Sequence, residues 1–269
     1  MTRPATYPPG VPCFVDSLTD DLEAARRFYG GVFGWQFAGP GPMPGGPWCE
    51  YWLARVDGAD VAGLGTRPDP SVPIAWSTHV AVTSAEKAAD RAREAGGAVV
   101  AEPFDVPPAG RMAVIVDPAG ASLCLWEPGT RAGAGLVNAP SAWAMSLLTT
   151  PEPDEAIDFY ASVFGWRAEA FAEAGPGVWL MRLPGYVGGD PGQPIPRDVV
   201  AAMARVADAP AGWSVDFWIA DADRAAVVAP GLGGQVLQEP FDMPMFRRTV
   251  LAAPDGAAFS VSELRLPQG

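Results

Sequence analysis

The stretch "RRFYGGVFGWQF", residues 26 to 37, has a near-echo in "IDFYASVFGWRA", residues 157 to 168. Phe28 and Phe159, Tyr29 and Tyr160, Val32 and Val163, and the run Phe33-Gly34-Trp35 against Phe164-Gly165-Trp166 all stand 131 positions apart. Four of these pairs are bulky aromatics, and chance does not hold one offset across so many identities. The pattern indicates an internal duplication, and a repeat bears on architecture before any other argument. It continues along the chain. Trp76-Ser77 answers Trp213-Ser214 at an offset of 137, as does Glu102-Pro103-Phe104-Asp105 against Glu239-Pro240-Phe241-Asp242. Arg111 falls on Arg247 and Pro118 on Pro254, 136 apart. The step from 131 to 137 leaves six extra residues in the second half, placed most simply within residues 186 to 212. In a chain of 269 residues this predicts two domains, 10–128 and 142–265, joined by a linker at 129–141.

Each half divides again. "CFVDSLT" alternates like a strand and leads into a helix that begins near Asp20 or Asp21, with Leu22, Ala25, Tyr29 and Val32 on one face. The repeated phrase ends that helix. Its aromatics form a wide apolar stripe, Gly34 supplies a left-handed stop, and Trp35 opens the next strand. Strand-like runs follow at 48–56 and 60–65, and then the pattern restarts at "STHVAV". There Thr83 and Glu86 form an expected capping box, and Gly96-Gly97 stops the second helix. The order strand-helix-strand-strand-strand thus occurs four times.

Bulk composition excludes several classes. The net charge is -13 with no Lys/Arg cluster, which argues against a nucleic-acid partner. No run of about 18 apolar residues is present and the start lacks a signal-peptide pattern, so no membrane partner and a cytoplasmic location are expected. Cys13, Cys49 and Cys124 are odd in number, with no CxxC spacing, and read as reduced buried thiols. There is no phosphate-binding glycine motif and no nucleophile elbow.

A βαβββ unit used in pairs, with "FYxxVFGW" closing the first helix and "DPxGAxxxLW" closing the second unit, resembles the vicinal oxygen chelate superfamily of glyoxalases, extradiol dioxygenases and bleomycin-resistance proteins. The likeness spans about residues 11 to 265 and is nearest to tandem glyoxalase-like proteins. It implies an α+β fold of four βαβββ units that form two glyoxalase-like domains with cupped mixed sheets. It also implies a ligand in the concavity, held in many members through a divalent metal on His and Glu of the first and last strands. Placed on this chain, those positions are Phe14, His79 and Cys124 in the first half and Met145, Asp216 and Ser260 in the second. A divalent site needs about three converging N, O or S ligands, and neither set supplies them. The expectation is no metal and no cofactor.

His79 is the only histidine, and its reference pKa near 6.5 suits proton transfer. Asp216, in the apolar "WSVDFWIA", needs a partner if buried. These two are the expected acid/base residues, set against a purely structural role for each. Phe14, Trp52, Cys124, Trp126, Met145, Trp179, Trp218 and Ser260 are the expected ligand-binding residues, since aromatic cups suit flat apolar ligands. Strand alternation allows only part of the aromatic set to face a cup. Arg111 and Arg247 read as structural ties, and a Cys124–His79 pair stays open.

The expected function is binding of a small hydrophobic or aromatic metabolite or antibiotic, of the sequestration or resistance type. The alternative is a metal-independent acid/base enzyme acting on a polyketide-like or carbonyl-rich substrate. A metal-dependent glyoxalase or dioxygenase is disfavoured by the missing ligands. A monomer is expected, with a homodimer as alternative. Whether the first unit pairs with the second or with the fourth stays open from sequence.

Overall fold

Short polar caps set where each strand hands over to a helix. In the computed structural model, which describes residues 6–46, 48–189 and 195–265, the first unit is β1 (Pro12–Thr19), α1 (Leu22–Phe33), β2 (Gln36–Pro42), β3 (Glu50–Val56) and β4 (Ala59–Thr66). The second is β5 (Trp76–Ala81), α2 (Ala85–Glu94), β6 (Ala98–Val106), β7 (Gly110–Val116) and β8 (Ser122–Pro128). The third is β9 (Trp143–Thr150), α3 (Pro153–Phe164), β10 (Arg167–Ala170), β11 (Val178–Arg182) and β12 (Val199–Arg205). The fourth is β13 (Gly212–Trp218), α4 (Ala222–Val228), β14 (Gln235–Met243), β15 (Phe246–Ala252) and β16 (Ala258–Leu264).

Asp21 caps α1 by accepting from the Ala24 amide, and Asp221 caps α4 through the Arg224 amide. Glu152 gives α3 no side-chain cap, but Pro153 opens it and has no N–H to leave unpaired. The expected Thr83–Glu86 box is displaced by one residue. Ser84 is the cap, accepting from the Lys87 amide, and Glu86 is drawn instead to Arg111 at 2.6 Å. Gly34 and Gly165 end α1 and α3 at φ 73° and 78°, a left-handed conformation that a side chain would strain.

The strands make two eight-stranded mixed sheets, ordered β2-β3-β4-β1-β5-β8-β7-β6 and β10-β11-β12-β9-β13-β16-β15-β14. The first unit therefore pairs with the second and the third with the fourth, and the crossed alternative does not occur. The larger second half has its long connection between β11 and β12, where the first half turns on Asp57-Gly58 alone. That connection, residues 183–198, overlaps the expected 186–212 segment, and its residues 190–194 fall outside the described ones.

The helices lie between the sheets. One apolar core combines Val15, Phe28, Tyr29, Phe33, Trp35 and Trp76 of the first half with Val215, Phe217, Ala225 and Phe259 of the second. Another joins Val80, Ala88, Ile115 and Leu123 to Phe159, Tyr160, Phe164 and Trp166. Both cores thus straddle the duplication. The repeated phrase occupies their centres, and its two copies interlock with the opposite half in the same way. Phe28 seats against Gly234, where a Cβ would stand 2.3 Å from the ring, and Phe159 seats against Gly97 at 2.5 Å. Trp35 Nε1 donates to the Ser141 carbonyl and Trp166 Nε1 to the Gly10 carbonyl, both at 2.7 Å. β5 and β9 meet at a Thr78–Ser146 hydroxyl bond of 2.6 Å. Among the described residues no helix is long and apolar enough to cross a membrane.

Candidate functional site

Side chains alternate along a strand. If Thr78 and Ser146 meet between the sheets, their neighbours His79 and Met145 point the other way. Each sheet therefore turns its second face outward, and the two outward faces look in opposite directions.

The floor of the first cup lies where β1, β5, β8 and β4 run side by side. Phe14 pairs with His79 and Asp16 with Ser77 across β1–β5; His79 pairs with Cys124, and Asp16 with Gly63. His79 is 4% exposed. Its Nε2 lies 3.0 Å from Asp16 Oδ1, an ion-pair distance, but the two are too poorly aligned for a hydrogen bond and Nε2 has no hydrogen-bond partner among the described residues. The second carboxylate oxygen, Oδ2, accepts from the Tyr51 hydroxyl at 2.8 Å. Burial, then the adjacent Asp16 charge, raises the Tyr51 phenol well above its ordinary value, so it stays a donor. The same two causes raise the Cys124 thiol, which stays protonated. That argues against an activated Cys124–His79 pair. Phe14 and Trp126 stand edge-on to the imidazole at 6.0 and 6.2 Å.

Does this floor suit the divalent metal that the resemblance implies? The four positions converging from first and last strands hold Asp16, Gly63, His79 and Cys124. A side chain on Gly63 is barred, because its Cβ would lie 1.9 Å from the Tyr51 hydroxyl oxygen. Among the described residues, only Asp221, Asp223 and Glu263 bring three ligand atoms within 4.8 Å of one another. These lie away from either floor and already serve local contacts: Asp223 pairs with Arg247, and Glu263 accepts from the Ala222 amide. The first floor does not fit a divalent ion.

The second floor is built differently. Asp216 pairs with Met145 on β9 and with Ser260 on β16. Its Oδ1 accepts from Ser260 at 2.6 Å and from Ser262 at 2.9 Å, and Arg248 Nε lies 3.6 Å away. Arg248 Nη2 in turn donates to Ser260 at 2.6 Å. Trp218 tilts against Phe246 beside this network, with centroids 6.4 Å apart. The positions matching those of the first floor are Leu147, Ala202, Asp216 and Ser260, which are no better a set for a metal.

The expected site residues therefore divide between two places. His79, Phe14, Cys124 and Trp126 gather on the first floor, and Asp216, Met145, Trp218 and Ser260 on the second. His79 and Asp216 face away from each other and cannot serve one reaction centre. Trp52 and Trp179 stand on neither floor. Trp52 pairs with inward-facing Leu64 and stacks 3.7 Å from the Arg26 guanidinium. Trp179 pairs with Met203 and packs on the core around α3. Arg111 and Arg247 are ties, holding Glu86 and Asp105, and Asp223 and Asp242.

Asp16, Tyr51 and Arg248 were not foreseen as site residues. A signal for Asp16 exists in the sequence: the residues five before the caps Asp21, Ser84, Glu152 and Asp221 are Asp16, His79, Leu147 and Asp216. Counting from the helix cap rather than from the Phe-Tyr pair moves the floor position from Phe14 to Asp16.

Comparison with known proteins agrees with this architecture. Residues 14–125 match the model of the glyoxalase/bleomycin resistance protein/dioxygenase superfamily, and residues 132–262 that of a glyoxalase-like domain. A candidate glyoxylase of Mycobacterium tuberculosis, CFP32, is 35% identical over 267 residues, covering 97% of both chains. The anthracycline biosynthesis protein DnrV of Streptomyces peucetius is 33% identical over 280 residues, covering 98% of this chain and 96% of its own. Among solved structures, the Mn(II)-bound glyoxalase of Novosphingobium aromaticivorans superposes with a TM-score of 0.64 at 16% identity, covering 98% of this chain and 83% of the other. The 2,3-dioxygenase LapB of Pseudomonas sp. KL28 gives 0.64 at 14% identity, covering 97% and 94%. At such identities the two structures speak for the fold alone.

Proposed function

Because the chain belongs to the glyoxalase/bleomycin resistance protein/dioxygenase superfamily, we propose that it binds a flat aromatic small molecule in its outward cups through its own side chains, without the family's divalent metal. The observation that carries this reading is the first floor. Asp16 is taken up by Tyr51 and His79, the Tyr51 ring closes the place of a further ligand at Gly63, and aromatic rings flank the rest. Such walls gain from apolar contact and stacking with a planar ligand, while a few buried polar groups fix its orientation. The kinship with DnrV, a protein of anthracycline biosynthesis, favours a polycyclic aromatic ligand and a role in making, carrying or sequestering one. The test is titration of 1,8-dihydroxyanthraquinone against untagged protein, followed by tryptophan quenching with and without EDTA. Saturable binding that the chelator leaves unchanged is expected. Binding that needs an added divalent ion refutes the proposal.

One observation favours a second reading. His79, itself buried, lies beside Asp16, and a carboxylate there stabilises the imidazolium that would form if His79 took a proton from an acidic C–H or O–H of a carbonyl-rich ligand. Under this reading His79→Gln keeps binding and abolishes conversion of the bound compound. Equal loss of both counts against it.

A further inference from the structure

The second cup differs from the first in a way that bears on what it holds. The first cup is partly filled by the chain itself: Phe14, Ala81, Trp126 and Ala134 form a buried cluster, packed over by Tyr7 and Val137. No such cluster forms over the second floor among the described residues. There Met145, Leu147, Phe246 and Val250 are apolar yet only half-buried. Partly exposed apolar side chains ringing a concave polar floor mark a ligand surface.

The polar centre of that floor is also left incomplete. Asp216 is 7% exposed, yet both serine bonds and the nearest approach of Arg248 fall on Oδ1 alone. Oδ2 takes no hydrogen bond from any described residue, and the Asp216 side chain keeps 10% exposure. Arg248 is likewise spoken for only in part. Nη2 is tied to Ser260 and Nε sits near Asp216, while Nη1 meets no acceptor among the described residues. The serines lock both partners, so one free acceptor and one free donor are held side by side without mobile arms. Their charges cancel, so the pair gives little preference for an anion. A rigid donor beside a rigid acceptor instead matches a ligand edge of the complementary kind.

We propose that the second cup selects planar aromatic ligands whose polar edge carries a carbonyl oxygen next to a hydroxyl or amide N–H. Arg248 donates to the carbonyl, Asp216 accepts from the neighbouring donor, and Trp218 and Phe246 contact the ring. This rests on the reading of the cups as ligand sites and names the class that the second one takes.

Calorimetric titration with three probes of one ring tests it. 2-Naphthamide offers both groups on one edge, methyl 2-naphthoate offers only the carbonyl, and 2-naphthoate offers only acceptors and a charge. The amide is expected to bind at least about tenfold more tightly than the ester, the order of discrimination that one unmet buried polar group produces. The anion is expected to gain nothing over the ester. In Asp216→Asn, which replaces the accepting oxygen by a donor, the advantage of the amide disappears while the ester binds as before; in Arg248→Met amide and ester weaken alike. Arg248→Lys, which keeps the charge but loses the second tie, weakens both by a smaller factor, with circular dichroism confirming the fold of all three variants. Equal affinity for amide and ester overturns the inference yet leaves aromatic binding standing. Tightest binding of naphthoate, or an amide preference that survives Asp216→Asn, overturns it as well. Failure of all three probes to bind removes both the inference and the reading beneath it.

Discussion

The interlock of the two halves yields a quantitative expectation. Phe28 is fully buried, edge-on to Tyr29 at 5.1 Å and to Phe259 of the other half at 6.1 Å, and its ring sits where any Gly234 side chain would be. Phe28→Ala removes a ring from a close-packed seam that the surrounding sheets cannot collapse to fill, and such truncations cost about 3–5 kcal/mol. Phe159→Ala repeats the change in the second core, where the ring meets Tyr160 at 5.0 Å and Gly97. The two sites belong to different apolar clusters, so their costs should add, to about 6–10 kcal/mol. Natural domains have about 5–15 kcal/mol to lose. Each single variant should therefore fold with a lowered urea midpoint, and the double variant should be largely unfolded. Because each core draws on both halves, wild-type unfolding should be one transition by near-UV circular dichroism and by calorimetry. Two separated transitions, or a loss below about 1 kcal/mol in Phe28→Ala, would refute the shared-core account.

Other consequences are open to test. All five tyrosines, Tyr7, Tyr29, Tyr51, Tyr160 and Tyr186, have phenol pKa values raised chiefly by burial. The folded state holds protons that the unfolded chain releases near its reference value of about 10. Stability is thus intact below that pH and falls as pH rises above it, and phenolate absorbance should appear together with unfolding rather than before it. Cys13, Cys49 and Cys124 are buried, and burial raises the thiols of Cys13 and Cys124; Ellman's reagent should modify none of them until denaturant is added. Gly63→Ala sets a methyl against a Tyr51 ring anchored by Asp16 and should cost about 1–3 kcal/mol in thermal unfolding. Most of that loss should vanish in a Tyr51→Ala background, and a strictly additive double variant would count against the clash.

Much of the fold was legible because the duplicated phrase carries its own physics: a helical stripe, a left-handed glycine stop and a tryptophan opening the next strand. The floors were less legible. Phe14 and Asp16 lie on the same face of one strand, so a count two residues out still lands in the cup while naming the wrong chemistry. Trp52 and Trp179 show the converse error. Both lie one residue away from cup-facing positions, and a one-residue step on a strand reverses the face. Arg248 escaped notice because its neighbour Arg247 is the one that repeats, and Arg247 belongs to the ties around Asp223. Nothing in the local sequence says that Arg248 meets Asp216, 32 positions earlier, since that meeting depends on β13, β16 and β15 lying side by side.

The back-to-back arrangement of the sheets explains where the two halves stopped resembling each other. Residues at the shared seam answer to both copies at once, so a change on one side needs a matching change on the other, and the aromatic phrase has persisted on each. The floors answer to nothing across the molecule. Asp16 with His79, and Asp216 with Arg248, face opposite ways, so the two floors differ without disturbing the seam, and no single small molecule can touch both.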